Sequence, residues 1–286
     1  MKRILIQLDT DPHPSVFDRV VAVDAEVDQI FSYGGVTPET VEPLVHGAMF
    51  TRGPKELAGT AIFIGGSNVA SGEALLARVC DTFLGPVRVS VMMDSNGSNT
   101  TAAAAVLSVR KHLKLAETGA VVLGGTGPVG LRAAQMLAAQ GAHVRLGSRS
   151  LERAKRASEE VNRVAKPKTP ASAFSTGTPG DLERACQGAE LVIAAGAAGA
   201  ELLPAAVRKK LSALKVAIDL NAVPPSGIGG IEVFDKAAER ERVLCYGAIG
   251  VGGLKMKIHK AALKKLFESN DQTLDRAGIY AIGEAL

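Results

Sequence analysis

The sequence predicts an α/β protein of two domains, each built on a parallel sheet with helices on its faces. Three observations carry this. The chain has 286 residues, long for one average domain and comfortable for two. Short apolar runs alternate with helical patterns along almost all of it, as strands joined through helices do. Glycine is abundant, at 31 residues, while aromatics make up only 4%. That suits strand–loop–helix units, where backbone must approach a ligand or a neighbouring element, and suits an aromatic-rich sandwich or a membrane barrel poorly.

In the first series, Ile4 to Leu8 reads as a strand, and Ser15 as the N-cap of a helix through Ala25. Gln29 to Tyr33 is a second strand, broken by Gly34-Gly35. Thr37 and Pro38 suit the cap and first position of a further helix. Thr60 to Ile64 is a third strand, followed by a helix from Ala70 to Phe83. Val87 to Met92 is a fourth, and a polar turn from Asp94 to Thr101 leads into an Ala-rich helix, Ala102 to Leu113. Lys114 to Gly119 reads as a boundary. Beyond it, strands are expected at Val121 to Leu123, His143 to Leu146, Ala171 to Phe174, Leu191 to Ala194, Val216 to Leu220 and Val243 to Tyr246. A long final helix is expected near Leu254, because Leu254, Ile258, Ala262 and Leu266 recur every four residues. The domains are drawn as 1–113, completed by 268–286, and 114–267.

Composition narrows the function classes. An apolar share of 47% with 22% charged residues excludes wholesale disorder. The net charge is +4, and Lys255, Lys257, Lys260, Lys264 and Lys265 cluster on one expected helix. They read as a solvated face, so no nucleic-acid partner is expected. Cys80, Cys186 and Cys245 form no CxxC pair, so neither a disulfide framework nor a metal site is expected. No run approaches the roughly 20 apolar residues of a membrane span. Asp9 and Asp11 end the first apolar run well short of a signal peptide. A cytoplasmic protein with no membrane partner is the expectation.

The sharpest motif is G-x-G-x-x-G at Gly125, Gly127 and Gly130, with Thr126, Pro128 and Val129 between them. It follows a short strand and opens a helix, Leu131 to Ala139, which is the context of a Rossmann-type dinucleotide site. The first glycine serves a tight turn, the second admits a pyrophosphate, and the third lets helix and strand pack closely. The next strand ends in Ser148-Arg149-Ser150, without the Asp or Glu that would bind the ribose 2′-OH of NAD. Hydroxyls and a guanidinium suit a 2′-phosphate, so NADP is favoured. Arg153 and Lys155 read as surface residues. Ala195 and Gly196 end a later strand, where small residues either leave room for the nicotinamide ribose or pack the sheet. Asn221 either bonds the nicotinamide side or closes an Asx turn before Pro224-Pro225.

In the first domain, polar strand ends gather on one rim: the loop Asp9 to Asp18, the turn Tyr33-Gly34-Gly35, and Asp94 to Thr101. Carboxylates, amides and hydroxyls there suit a flat heterocycle with several N–H and C=O groups. Asp94 and Asn96 lean to that role, whereas Ser98 reads as a helix cap.

On these residues the chain resembles the NADP-dependent branch of the methylene-tetrahydromethanopterin dehydrogenases of methylotrophic bacteria. The stretches concerned are Gln7 to Asp18, Thr60 to Gly66, Met93 to Ala105, Gly124 to Gly130, Asn221 to Ile231 and Gly247 to His259. The resemblance implies an N-terminal parallel α/β pterin domain, a Rossmann-type NADP domain and an interdomain cleft. It implies oxidation of a methylene-bridged reduced pterin to the methenyl cation, in formaldehyde oxidation, with methylenetetrahydrofolate as a further substrate. It places pterin contacts at Ser15, Phe17, Asp94, Asn96, Ser98, Asn99 and Thr100, and catalytic candidates at Lys255, Asp18 and Asp94. A homo-oligomer, with a trimer as one form, is also implied. Ser148-Arg149-Ser150 stands where the family pattern has a Gly-Arg-Lys-like sequence, so dual use of NAD and NADP stays open.

The reaction removes hydride from a carbon between two nitrogens, so no general base is demanded. A nearby carboxylate would stabilise the developing cation. A charged Lys255 would oppose it unless it is neutral, paired, or directed at a distant substrate oxygen. Tyr33 is followed by Gly34-Gly35-Val36-Thr37, without the lysine that cyclohydrolases of this layout use, so methenyl hydrolysis is expected to be absent or weak. Two other readings compete: a shikimate- or glutamyl-tRNA-reductase-like oxidoreductase, and a non-catalytic NADP-sensing module.

Overall fold

The computed structural model describes residues 1–286, which fall into two compact units. Unit 1 comprises Met1–Thr100 and Met256–Leu286, and unit 2 comprises Thr101–Lys255. The divisions fall inside two long helices rather than at 113 and 267, because each helix begins in one unit and ends in the other.

The chain opens β1 (Ile4–Asp9), α1 (Val16–Asp24), β2 (Gln29–Tyr33), α2 (Glu42–Phe50), β3 (Thr60–Gly65), α3 (Val69–Thr82), β4 (Ser90–Met93) and α4 (Ser98–Arg110). It continues β5 (Gly119–Leu123), α5 (Pro128–Ala139), β6 (His143–Ser148), α6 (Leu151–Ala165), β7 (Ser172–Ser175) and α7 (Pro179–Cys186). Then come β8 (Leu191–Ala194), α8 (Ala205–Arg208), β9 (Val216–Asp219), β10 (Lys236–Arg240), β11 (Val243–Tyr246) and α9 (Ala248–Lys265). It returns to unit 1 with β12 (Thr273–Leu274) and α10 (Arg276–Glu284).

Unit 1 holds a five-stranded, wholly parallel sheet in the order β12-β4-β3-β1-β2. Its central strand β3 is buried at every residue, and Leu8, Ile62, Ile64, Val79, Val91 and Met93 form its core. Unit 2 holds a seven-stranded sheet, β10-β11-β9-β8-β5-β6-β7, parallel except for the β10–β11 hairpin. Strand order reverses around β5, which lies between β8 and β6 and so opens a crevice at its carboxyl end. No helix is long and apolar enough to cross a membrane.

Three expectations shift. The helix expected at Thr37-Pro38 begins instead at Glu42, with Pro43 in its first turn. Thr37 and Thr40 spend their groups on each other: Thr37 N–H donates to Thr40 Oγ1 at 3.0 Å and Thr40 N–H to the Thr37 carbonyl at 3.1 Å. Helix α4 begins four residues before Ala102, and α9 six residues before Leu254. The glycines at the head of α9 disguise it. A Cβ on Gly250 would come within 1.8 Å of the Asp235 carbonyl, so glycine there marks close packing, not a break. Strands β10 and β12 were not anticipated.

The stripe of α9 is buried as expected, with Ile258, Ala262 and Leu266 fully enclosed. Its lysines are anchored: Lys260 pairs with Asp24 at 3.6 Å, Lys264 with Glu26 at 2.5 Å, and Lys265 with Glu268 at 2.5 Å.

Candidate active site

A cavity of about 480 Å³ opens at the carboxyl ends of β5, β6 and β8 in unit 2. Leu123, Gly124, Thr126, Gly127 and Pro128 form its floor. The left-handed turn belongs to Gly124, φ +72°, one residue before the glycine given that task from the sequence. Gly127 N–H donates to the Gly124 carbonyl at 3.0 Å, closing the turn into α5. Cβ atoms would collide at two places: at Gly124 with Gly196 N at 2.7 Å, and at Gly130 with the Gly124 carbonyl at 2.6 Å. Gly125 is buried beneath Leu146, and Val129 is half-buried on the helix; neither lines the cavity.

On the β6 side the cavity is walled by Gly147, Ser148, Arg149, Ser150, Arg153 and Thr176. Ser148 Oγ accepts the Ser150 N–H, and Ser150 Oγ accepts the Arg153 N–H, each at 3.3 Å. Both hydroxyls are thus fixed as acceptors, and their protons remain to donate. No carboxylate lines this wall. On the β8 side, Ala195, Gly196 and Ala197 leave open space. These residues fit a bound dinucleotide: bare backbone at a helix start for the pyrophosphate, and cations with hydroxyls for the adenosine ribose.

Asn221 does not belong to this wall. Its Nδ2 donates to the Pro225 carbonyl at 2.9 Å and its Oδ1 accepts the Val223 N–H at 3.0 Å, so the side chain closes an Asx turn. Asp219, beside it, is buried and accepts the Asn221 and Ile228 N–H groups; burial holds its carboxyl above the ordinary range.

In unit 1, β1 and the segment after it are built around Asp9, which accepts the Asp11 and Ser15 N–H groups at 2.9 and 3.1 Å. Ser15 in turn caps α1 by accepting the Asp18 N–H. Phe17, next along α1, is 52% exposed, and Asp18 is half-buried. The turn after β4 corrects two assignments. Asp94 is buried, and its carboxylate accepts the Asn99 and Thr100 N–H groups and the Thr100 hydroxyl, so it holds the start of α4 instead of facing a substrate. Ser98 donates to the Ser95 carbonyl at 2.8 Å and is equally internal. Thr100 is fully buried. Asn99 donates to the Met93 carbonyl, and its Oδ1 is buried without a hydrogen-bond partner. Asn96, φ +56°, is the residue this turn presents outward.

Lys255 lies on α9, half-buried, one helical turn before His259. His259 is fully buried, stacked on Phe63 with ring centroids 5.8 Å apart and planes 19° apart, and 6.4 Å from Phe17. The sequence reading did not single out His259. Its i, i+4 spacing from Lys255 was the available signal. No group of His, Cys, Asp and Glu is placed to hold a metal ion.

Fold and cavity define a Rossmann-type dinucleotide-binding layout. Shikimate 5-dehydrogenase from Listeria monocytogenes, solved with shikimate and NAD, shares that fold at a TM-score of 0.57 and 13% identity, covering 99% of this chain and 96% of that one. Residues 16–96 match the family model described as methylene-tetrahydromethanopterin dehydrogenase, N-terminal. Two proteins of Methylorubrum extorquens align along nearly their whole length. The bifunctional protein MdtA is 46% identical, over 100% of this chain and 99% of its own. The NAD(P)-dependent methylenetetrahydromethanopterin dehydrogenase is 31% identical, over 94% and 93%. The chain belongs to the methylene-tetrahydromethanopterin dehydrogenase family, an oxidoreductase family of one-carbon metabolism.

Proposed function

We propose that this chain oxidises methylene-tetrahydromethanopterin, and methylenetetrahydrofolate beside it, to the methenyl cation, with NADP as the favoured acceptor and NAD as the weaker one. The observation that carries the cofactor reading is the end of β6. Ser148, Arg149 and Ser150 wall the cavity there, and its one lining carboxylate, Glu201, lies beyond β8 and not at the β6 end, where a free ribose 2′-OH would need it. NADP supplies the hydride acceptor when bound.

Loss of hydride from the methylene carbon leaves a cation shared by two nitrogen lone pairs. No proton leaves that carbon, so the chain supplies no general base. Its work is to bind, orient and exclude water. Phe17, exposed on α1, offers an aromatic face to the pterin, and Asn96 offers an outward amide. Asn99 Oδ1 is an acceptor for a ring N–H. Ser15 retains a hydroxyl proton to donate. Asp18 is the carboxylate that stabilises developing positive charge. Lys255 acts on a substrate oxygen away from the reacting carbon, since an ammonium beside that carbon would raise the barrier. The chain works in the cytoplasm as a homo-oligomer, a trimer on the family resemblance, which sedimentation of the purified protein tests.

The deciding assay follows methenyl formation from each reduced pterin with NADP or NAD. Turnover with NADP strongly ahead supports the reading. Equal turnover with both acceptors overturns the cofactor preference and leaves the reaction standing. NADP binding without turnover on either pterin favours the sensing module. Hydrolysis of added methenyl pterin is expected to stay at the uncatalysed rate.

A further inference from the structure

The cavity in unit 2 has two unlike walls. Hydroxyls and guanidiniums define the β6 side, whereas Ala195, Gly196, Ala197, Ala200, Glu201 and Leu202 stand on the β8 side. Residues 195–204 form no regular helix or strand, apart from one bridge between Leu203 and Ile228. Alanine and glycine have no side chain long enough to lock such a segment in place. Its course depends on where its backbone N–H and C=O groups find partners.

Those partners lie on the loop after β9. The Gly227 carbonyl accepts the Leu202 and Leu203 N–H groups at 2.8 and 3.0 Å, and the Leu203 carbonyl accepts the Gly229 N–H at 2.8 Å. Leu202 in turn lies against Gly196, where a Cβ would come within 2.6 Å of its Cδ1. One carboxylate holds the loop itself. Asp219 ends β9, directly across from Ala194, and is only 2% exposed. Its Oδ1 accepts the Asn221 N–H at 3.0 Å and its Oδ2 the Ile228 N–H at 3.1 Å, so its two oxygens clamp the two ends of the loop. Gly227 is pressed onto this carboxylate: a Cβ there would come to 2.7 Å from Asp219 Oδ1. Asp219 does not line the cavity.

We infer that Asp219 is a positioning residue: through Gly227 and Leu202 it sets the β8-side wall that receives the nicotinamide half of the dinucleotide. This rests on the dinucleotide reading of the cavity, with the adenosine end at β6 and the pyrophosphate at the start of α5. The remaining half of the cofactor then extends along the β8 side. A misplacement of about 1 Å there is enough to slow hydride transfer. An amide at position 219 offers one acceptor oxygen where the carboxylate offers two, and its NH2 would face a backbone N–H.

The test is calorimetric titration with NADP and with adenosine 2′,5′-bisphosphate, which lacks the nicotinamide half; neither needs pterin or turnover. Asp219→Asn is expected to weaken NADP about tenfold and the bisphosphate by less than about twofold. NADPH bound to this variant should show a smaller change in nicotinamide fluorescence than NADPH bound to the wild type. Gly227→Ala, which pushes on the same carboxylate from the loop side, should give the same selective loss, and it keeps the test open if Asp219→Asn does not fold. Leu202→Ala removes the wall contact directly and should also act on NADP alone. An equal loss of both ligands in Asp219→Asn and Gly227→Ala would overturn the inference, as general damage to unit 2. NADP binding unchanged in those two variants but weakened in Leu202→Ala would overturn it while sparing the cavity reading, because the wall would matter and Asp219 would not set it. A wild type that binds neither ligand would remove the dinucleotide reading and the inference together.

Discussion

The Asp94 carboxylate accepts the Thr100 hydroxyl at 2.6 Å and the Thr100 N–H at 3.1 Å, inside unit 1 and away from solvent. A carboxylate at a helix start satisfies N–H groups that the helix itself cannot, and it lies favourably in the field of the helix dipole. Asp94 therefore sets the geometry of the turn that presents Asn96.

Asp94→Ala should destabilise the protein by roughly 2–3 kcal/mol, for a lost cap plus buried N–H groups left unsatisfied. That corresponds to a fall in Tm of about 5–10 °C for a chain of this size. Thermal unfolding checks it. A variant of wild-type stability that had lost only kcat would instead restore Asp94 to the chemistry.

Gly127 and Gly130 should separate binding from folding. A Cβ on Gly127 would meet only the Gly124 carbonyl at 3.4 Å and the Ala195 carbonyl at 3.6 Å, contacts the fold tolerates, yet it would stand on the cavity floor. Gly127→Ala should keep its Tm and lose NADP affinity by about tenfold or more. Gly130→Ala drives a Cβ to 2.6 Å from the Gly124 carbonyl and should cost about 1–3 kcal/mol of stability. Parallel unfolding and NADP titrations of the two variants distinguish these outcomes.

Phe17→Ala removes a ring that is half exposed. Stability should change by less than about 0.5 kcal/mol. KM for the reduced pterin should rise by about threefold to tenfold, the scale of one aromatic contact, while KM for NADP stays put. A matched rise in both constants would exclude a pterin-specific role.

Lys264 lies 2.5 Å from Glu26, and its hydrogen bond and charge hold the Glu26 carboxyl below the ordinary range. Because the folded value is depressed, the stabilisation is present above the unfolded glutamate value and is lost as pH falls through the folded one. Lys264→Met should raise the Glu26 pKa towards its ordinary value, read by NMR titration. It should also flatten the acid side of the stability curve. An unmoved Glu26 titration would show that solvent already screens this pair.

Strands with dense local patterning are legible in one dimension. Gln29–Tyr33, Leu191–Ala194 and Val243–Tyr246 match their expected bounds residue for residue. Ser15 is the cap it was read to be, and the glycine run after β5 opens a cavity at the strand-order reversal. Periodicity, caps and turn residues act within a few positions, so they are visible in one dimension. Tertiary structure decided what depended on neighbours distant in sequence. Strand β12 exists only because Thr273 and Leu274 find Val91 and Met92, and β10 only because it folds back on β11. The polar residues were the least legible. Asp94 and Asn221 have the composition of ligand-binding groups, yet Asp94 accepts two backbone N–H groups and the Thr100 hydroxyl, and Asn221 Oδ1 accepts the Val223 N–H. A polar side chain's task is set by which partners reach it first, and that competition is settled only when the chain has folded.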